Sequence, residues 1–219
     1  MNDGFDTALP DLDPAGNLAD LLTEQSDDKQ PRPGDVIKLP TTLSHRTKGR
    51  RLFYDFSQVA HATRLIQSLP DPDETVHCVM DGTFNGIALV PAVIELANKP
   101  SEEIIITTLG FNLRNIECLI ELAEQRKIKK LSIVCSDYYE KANKAEYATA
   151  KARLDSIGAT IHSSMNHSKI ILFDMGDHAY AVESSANLRS CNNLEQFSLT
   201  NSRPLFNFHK SWIGRMLPA

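Results

Sequence analysis

Three short apolar runs, set between segments of helical period, decide what this chain can fold into. They are EEIIITT (102–108), KKLSIVCS (129–136) and SKIILFD (168–174). Each is too short for a buried helix and is flanked by polar residues, so each reads as a strand buried in a sheet. Between the first two lies NLRNIECLIELAEQRKI (112–128), where Leu113, Ile116, Leu119, Ile120 and Ala123 recur along one helical face.

The same alternation continues in both directions. FSQVAHATRLIQSL (56–69) places Val59, Ala62, Leu65, Ile66 and Leu69 at helical spacing, and TVHCVM (75–80) is a short strand. NGIALVPAVIELAN (85–98) is helical in pattern, with Pro91 as a kink or a first-turn residue. YEKANKAEYATAKARLDSIG (139–158) reads as one polar, alanine-rich helix closed by Gly158. ATIHSS, SKIILFD, HAYAVES and EQFSLTN then follow as four strands, and RPLFNFHKSWIGRML (203–217) closes as a helix with Pro204 in its first turn. Strands alternating with helices predict an α/β fold, a mixed β-sheet flanked by helices, over residues 37–219. No internal repeat is visible.

Residues 1–36 read differently. Nine acids against Lys29 and Arg32 give this stretch a net charge of −7, and EQSDDKQPRPGD has almost nothing to bury. It is expected to be a disordered acidic arm, with NLADLLTEQ (17–25) as a short amphipathic element able to dock on a protein partner. The whole chain carries −5, so the remainder is mildly basic and compatible with a phosphate-bearing partner. HRTKGRR (45–51) reads as a solvated linker or a contact to a nucleic-acid backbone, and DGTFNG (81–86) as a turn before a helix. The acidic start lacks the layout of a signal peptide, and no apolar run reaches the length of a membrane span. Cys78, Cys118, Cys135 and Cys191 are widely spaced, which speaks for reduced thiols and against a zinc site. A cytoplasmic protein without integral membrane association is the expectation.

The densest chemistry lies in NHSKIILFDMGDHAYAVESSANLRSCNNLEQF (166–197). Side chains two apart on a strand face the same way, so His167 and Lys169 are expected to project together, with Asp174 ending the strand at a turn. A returning antiparallel strand then brings Ser184, Ser185 and Asn187 to the histidine end, where a further strand starts at Glu195. One imidazole, one ammonium, an amide, hydroxyls and a carboxylate thereby converge. His77 and His162 fall in strands and are expected to be structural. His209-Lys210 lacks the spacing of the first pair.

This set, H-x-K-x4-D followed by a hairpin, a Ser-Ser-x-Asn turn and a Glu, resembles the phospholipase D-like (HKD) superfamily. The resemblance runs through His167, Lys169, Asp174, Ser185, Asn187 and Glu195, and it covers the C-terminal third closely. One departure is Ser184, where the family usually has Gly. The resemblance implies a phosphodiesterase in which His167 attacks phosphorus and Glu195 holds the other ring nitrogen. It also implies that Lys169, Ser185 and Asn187 bind the phosphate oxygens while Asp174 orders the turn. No metal or other cofactor is called for. The family mechanism needs a second histidine as acid, and this chain has one motif, so a two-fold homodimer is implied. A nuclease suits a short single-motif chain. The alternatives are a catalytically degenerate module that binds nucleic acid or a protein, and a phospholipase or phosphatidyl transferase.

Overall fold

The computed structural model describes residues 55–80, 84–189 and 193–217. The acidic arm, HRTKGRR, Cys191 and the first half of DGTFNG lie outside the described residues. Seven strands form one mixed sheet flanked by helices, as the alternation predicts: β1 (Thr75–Met80), β2 (Glu103–Thr108), β3 (Leu131–Ser136), β4 (Thr160–Ser164), β5 (Ile170–Asp174), β6 (Ala179–Ser184) and β7 (Glu195–Asn201). Their spatial order is β1-β7-β6-β5-β2-β3-β4. β2, β3 and β4 run parallel, and β5, β6, β7 and β1 add to β2 in antiparallel steps.

Every residue of β2 and β3 is buried, which is why both read as uninterrupted apolar runs. Helices α1 (Phe56–Ile66), α2 (Leu89–Ala97), α3 (Leu113–Glu124), α4 (Asp137–Ala142) and α5 (Lys144–Asp155) are joined by α6 (Arg203–Gly214). The first five lend apolar residues to the larger core, together with Ile104, Ile106, Ile133 and Phe173 of the sheet. On the other face α6 sets Phe206 and Ile213 against Ile105, Val134, Ile170, Leu172 and Ala181. Pro91 sits in the first turn of α2, where its missing N–H costs no helical hydrogen bond. Asn112 begins α3 with a capping box: its side chain accepts from Asn115 N–H at 2.9 Å, and Asn115 Oδ1 accepts from Asn112 N–H at 3.0 Å.

Two boundaries differ from the sequence reading. The single helix expected over 139–158 is two, because Asn143 leaves the helical region (φ −129°, ψ 46°) and turns both its N–H and its Nδ2 onto the Tyr139 carbonyl. Gly158, with φ +71°, stands in the turn beyond the end of α5. The strand carrying the histidine starts at Ile170, so His167 and Lys169 lie in the segment leading into β5. Among the described residues no helix is long and apolar enough to cross a membrane.

Candidate active site

The sheet brings the expected residues to one end by register. Ile170 at the start of β5 lies opposite Thr107 near the end of β2 and opposite Glu183 near the end of β6. Ser184 pairs with Phe197, and Glu195 opens β7 beside Met80. His167, Lys169, Ser184, Ser185, Asn187 and Glu195 therefore share one edge, built from the ends of four strands.

Their contacts divide into two groups. In the first, Lys169 Nζ donates to His167 Nδ1 at 3.1 Å and to the His167 carbonyl at 2.8 Å. An acceptor at Nδ1 puts the proton of the neutral ring on Nε2. Partial burial pushes the Lys169 ammonium below the ordinary lysine value, with the Glu195 charge acting the other way. In the second group, the Ser185 hydroxyl donates to Glu195 Oε2, and Ser185 Oγ accepts from Gln196 N–H at 3.0 Å. Asn187 is aimed by the end of β2: its Oδ1 accepts from Leu109 N–H at 3.0 Å and lies 3.5 Å from Thr108 Oγ1. With the oxygen held inward, the amide presents Nδ2 as its donor.

Ser184, at the position where the motif it resembles has Gly, sits without strain. Its hydroxyl donates to the Gln196 carbonyl and accepts from Ala186 N–H, both at 2.9 Å. It is not among the described non-glycine residues with positive φ, so the turn makes no demand that only glycine meets. Asp174 lies at the opposite end of β5, a five-residue strand away from Lys169. It accepts from Gly176 N–H at 3.0 Å and from Arg203 Nη2 at 3.1 Å. Burial works to raise its pKa, but these donors outweigh it and hold the carboxyl below the usual aspartate value.

Of the other histidines, His77 lines one groove with Glu183, Ser184, Ser185 and Gln196. His77 and His162 are exposed on β1 and β4. His209 is buried on α6, where Nδ1 accepts from Trp212 Nε1 at 3.1 Å and Nε2 lies 3.3 Å from Glu183 Oε1. Among the described residues no group of three or more His, Cys, Asp or Glu side chains is arranged to hold a metal ion.

Several residues around the site carry no motif of their own and are missed by sequence reasoning. Thr107, Thr108, Asn166 and Ser168 bind the site's backbone through side chains. Gly86 lies so close to the Asn187 turn that a Cβ there would come within 2.5 Å of the Asn187 carbonyl oxygen. The DGTFNG turn was the only signal for Gly86. For Asn166 there was only its place beside the histidine.

No protein-family model and no curated protein matches the sequence. Solved structures similar to this chain include Nuc from Salmonella typhimurium, a phospholipase D family member. Nuc is 18% identical, over 65% of this chain and 94% of its own, with a TM-score of 0.47. NucT from Helicobacter pylori is 18% identical over 65% of this chain and 96% of its own, with a TM-score of 0.48. Polyphosphate kinase from Porphyromonas gingivalis is 17% identical over 67% of this chain but 26% of its own, with a TM-score of 0.49.

Proposed function

We propose that this chain is a metal-independent phosphodiesterase acting on nucleic acid through a phosphohistidine, in a site completed by a second copy of itself. The observation that carries the reading is the convergence of His167, Lys169, Ser185, Asn187 and Glu195 at one sheet end, with the His167–Lys169 pair in contact. A phosphodiester is anionic and resists attack, so its site must neutralise charge, supply a nucleophile and protonate a leaving oxygen. Lys169 and the Asn187 Nδ2 donors do the first.

A bound phosphate draws the Lys169 ammonium from Nδ1 onto a non-bridging oxygen. Nδ1 is then free to take the ring proton and pass into the field of Glu195, which leaves the Nε2 lone pair for phosphorus. The bond from Nε2 to phosphorus forms as the bond to the leaving oxygen breaks, and the partner's His167, which enters the step as an imidazolium released by its own Lys169, gives that oxygen its proton and becomes neutral. Water, deprotonated by the now neutral partner's His167, cleaves the phosphohistidine and restores both rings. No step requires a metal ion.

A second reading has one observation behind it. Met165 (92% exposed), Leu194 (74%) and Tyr138 (72%) are large apolar side chains flanking the same edge, adjacent to His167, Glu195 and the end of β3. Such a rim also suits an amphiphilic phosphodiester at a lipid surface.

The test is hydrolysis of bis(4-nitrophenyl) phosphate, plasmid DNA, single-stranded DNA, RNA and phosphatidylcholine vesicles, each with and without chelator. The expected result is cleavage of nucleic acid and of the aryl ester, abolished in a folded His167→Asn variant. Cleavage confined to vesicles would establish the second reading instead. Activity that disappears with chelator, or survives in the variant, would overturn both.

A further inference from the structure

Asn166 is buried between two exposed neighbours. It is 7% accessible, against 92% for Met165 before it, and His167 after it is exposed. Every hydrogen-bonding group of its carboxamide is used. Nδ2 donates to the Thr108 carbonyl at 3.3 Å and the Val134 carbonyl at 3.4 Å, from the ends of β2 and β3. Oδ1 accepts from Ser168 N–H at 3.0 Å and from the Ser168 hydroxyl at 2.5 Å.

The same hydroxyl lies 2.8 Å from Thr107 Oγ1, within hydrogen-bonding reach. Thr107 Oγ1 in turn accepts from Ile170 N–H at 3.0 Å. The result is an unbroken chain from Ile170 through Thr107 and Ser168 to Asn166, and on to two strand carbonyls. It grips the backbone on both sides of His167 where strand pairing no longer holds it. The same stretch of β2 aims Asn187 through Leu109 N–H and Thr108. The Thr107–Leu109 strand end is thus a common reference for both halves of the site.

We propose that Asn166 is a positioning residue: its carboxamide clamps the His167 turn to the ends of β2 and β3 and sets the spacing between His167 and Asn187. This rests on the reading of His167 as nucleophile. Only an amide offers two donors toward paired carbonyls and one acceptor toward paired donors. An aspartate of the same shape turns an oxygen against both carbonyls, and an alanine leaves all four partners without it.

The experiment compares wild type with Asn166→Ala, Asn166→Asp and Ser168→Ala, using bis(4-nitrophenyl) phosphate. The expected result for Asn166→Ala is a kcat lower by roughly 10²-fold, since a misplaced reacting group loses rate on that scale. KM is expected to stay within about threefold, the split that marks lost transition-state geometry. Asn166→Asp is expected to be no better than the alanine variant. Ser168→Ala removes only one contact to Oδ1 and loses roughly tenfold, so it carries the test if the Asn166 variants do not fold. A folded Asn166 variant with kcat within about threefold of wild type overturns the proposal.

A second readout does not depend on activity. The ring signals of isotope-labelled His167 are expected to shift and broaden in Asn166→Ala while those of distant His178 stay in place. Unchanged His167 signals overturn the clamp. An inactive wild type whose His167 signals still respond to Asn166 sinks the phosphodiesterase reading and leaves the clamp standing.

Discussion

Lys169 is the residue whose protonation matters most for the proposed chemistry, because only the ammonium neutralises a phosphate oxygen. Burial depresses its pKa below the ordinary 10.5 and Glu195 only partly opposes this. The sign is simple: a group needed in its charged form, with a lowered pKa, fails at a lower pH. The alkaline limb of kcat/KM is therefore expected below 10.5, the ordinary lysine value. Lys169→Arg keeps its charge over the whole accessible range, so its weaker activity is expected to show no such limb. A pH profile of the two proteins decides the matter: an identical limb in both assigns it to another group. That these residues gather at one sheet end was legible in the sequence, because strand alternation and the hairpin return set their places. The contact between Lys169 and His167 Nδ1 was not, since two side chains on one side of an extended segment face alike without having to touch.

Elements were legible wherever hydrophobic period spoke alone, as in β2, β3 and α3. Boundaries were lost where side chains compete with the backbone for hydrogen bonds. Asn143 splits α4 from α5 in this way. Thr107 takes the Ile170 N–H with its hydroxyl, and β5 begins only there, so the stretch that looked like a strand start is an extended lead-in. The turn before α2 shows what local pattern cannot reveal. Gly86 packs against the 187–188 backbone, and Ile87 N–H donates to the Leu188 carbonyl at 3.1 Å. That close approach joins segments about a hundred residues apart, and no spacing rule reports it. In Gly86→Ala the new Cβ meets a backbone oxygen, which has no rotamer to escape into, so the Asn187 turn must move. The expected outcome is a loss of kcat of roughly tenfold or more, larger than any change in thermal midpoint explains. Full activity in the folded variant would show that the turn tolerates displacement.

At the scale of the whole molecule, one polypeptide carries one such motif, whereas the proposed reaction needs a nucleophile and an acid on opposite sides of phosphorus. In the proposed dimer, two-fold symmetry would meet this with a single set of residues, the attacking ring of one copy facing its equivalent in the other. In the proposed dimer the exposed Met165 and Leu194 beside the site would have a surface to meet. The proposal makes a quantitative demand on mixtures. If wild type and His167→Asn are unfolded together in equal amounts and refolded, random pairing leaves about a quarter of the dimers with two intact rings. Activity per total protein is then expected at about one quarter of the wild-type value, and at about one half if each chain works alone. Sedimentation of the mixture must show dimers throughout for the comparison to hold. A value near one half, or a monomer at assay concentration, removes the second histidine from the mechanism and leaves His167 without its acid.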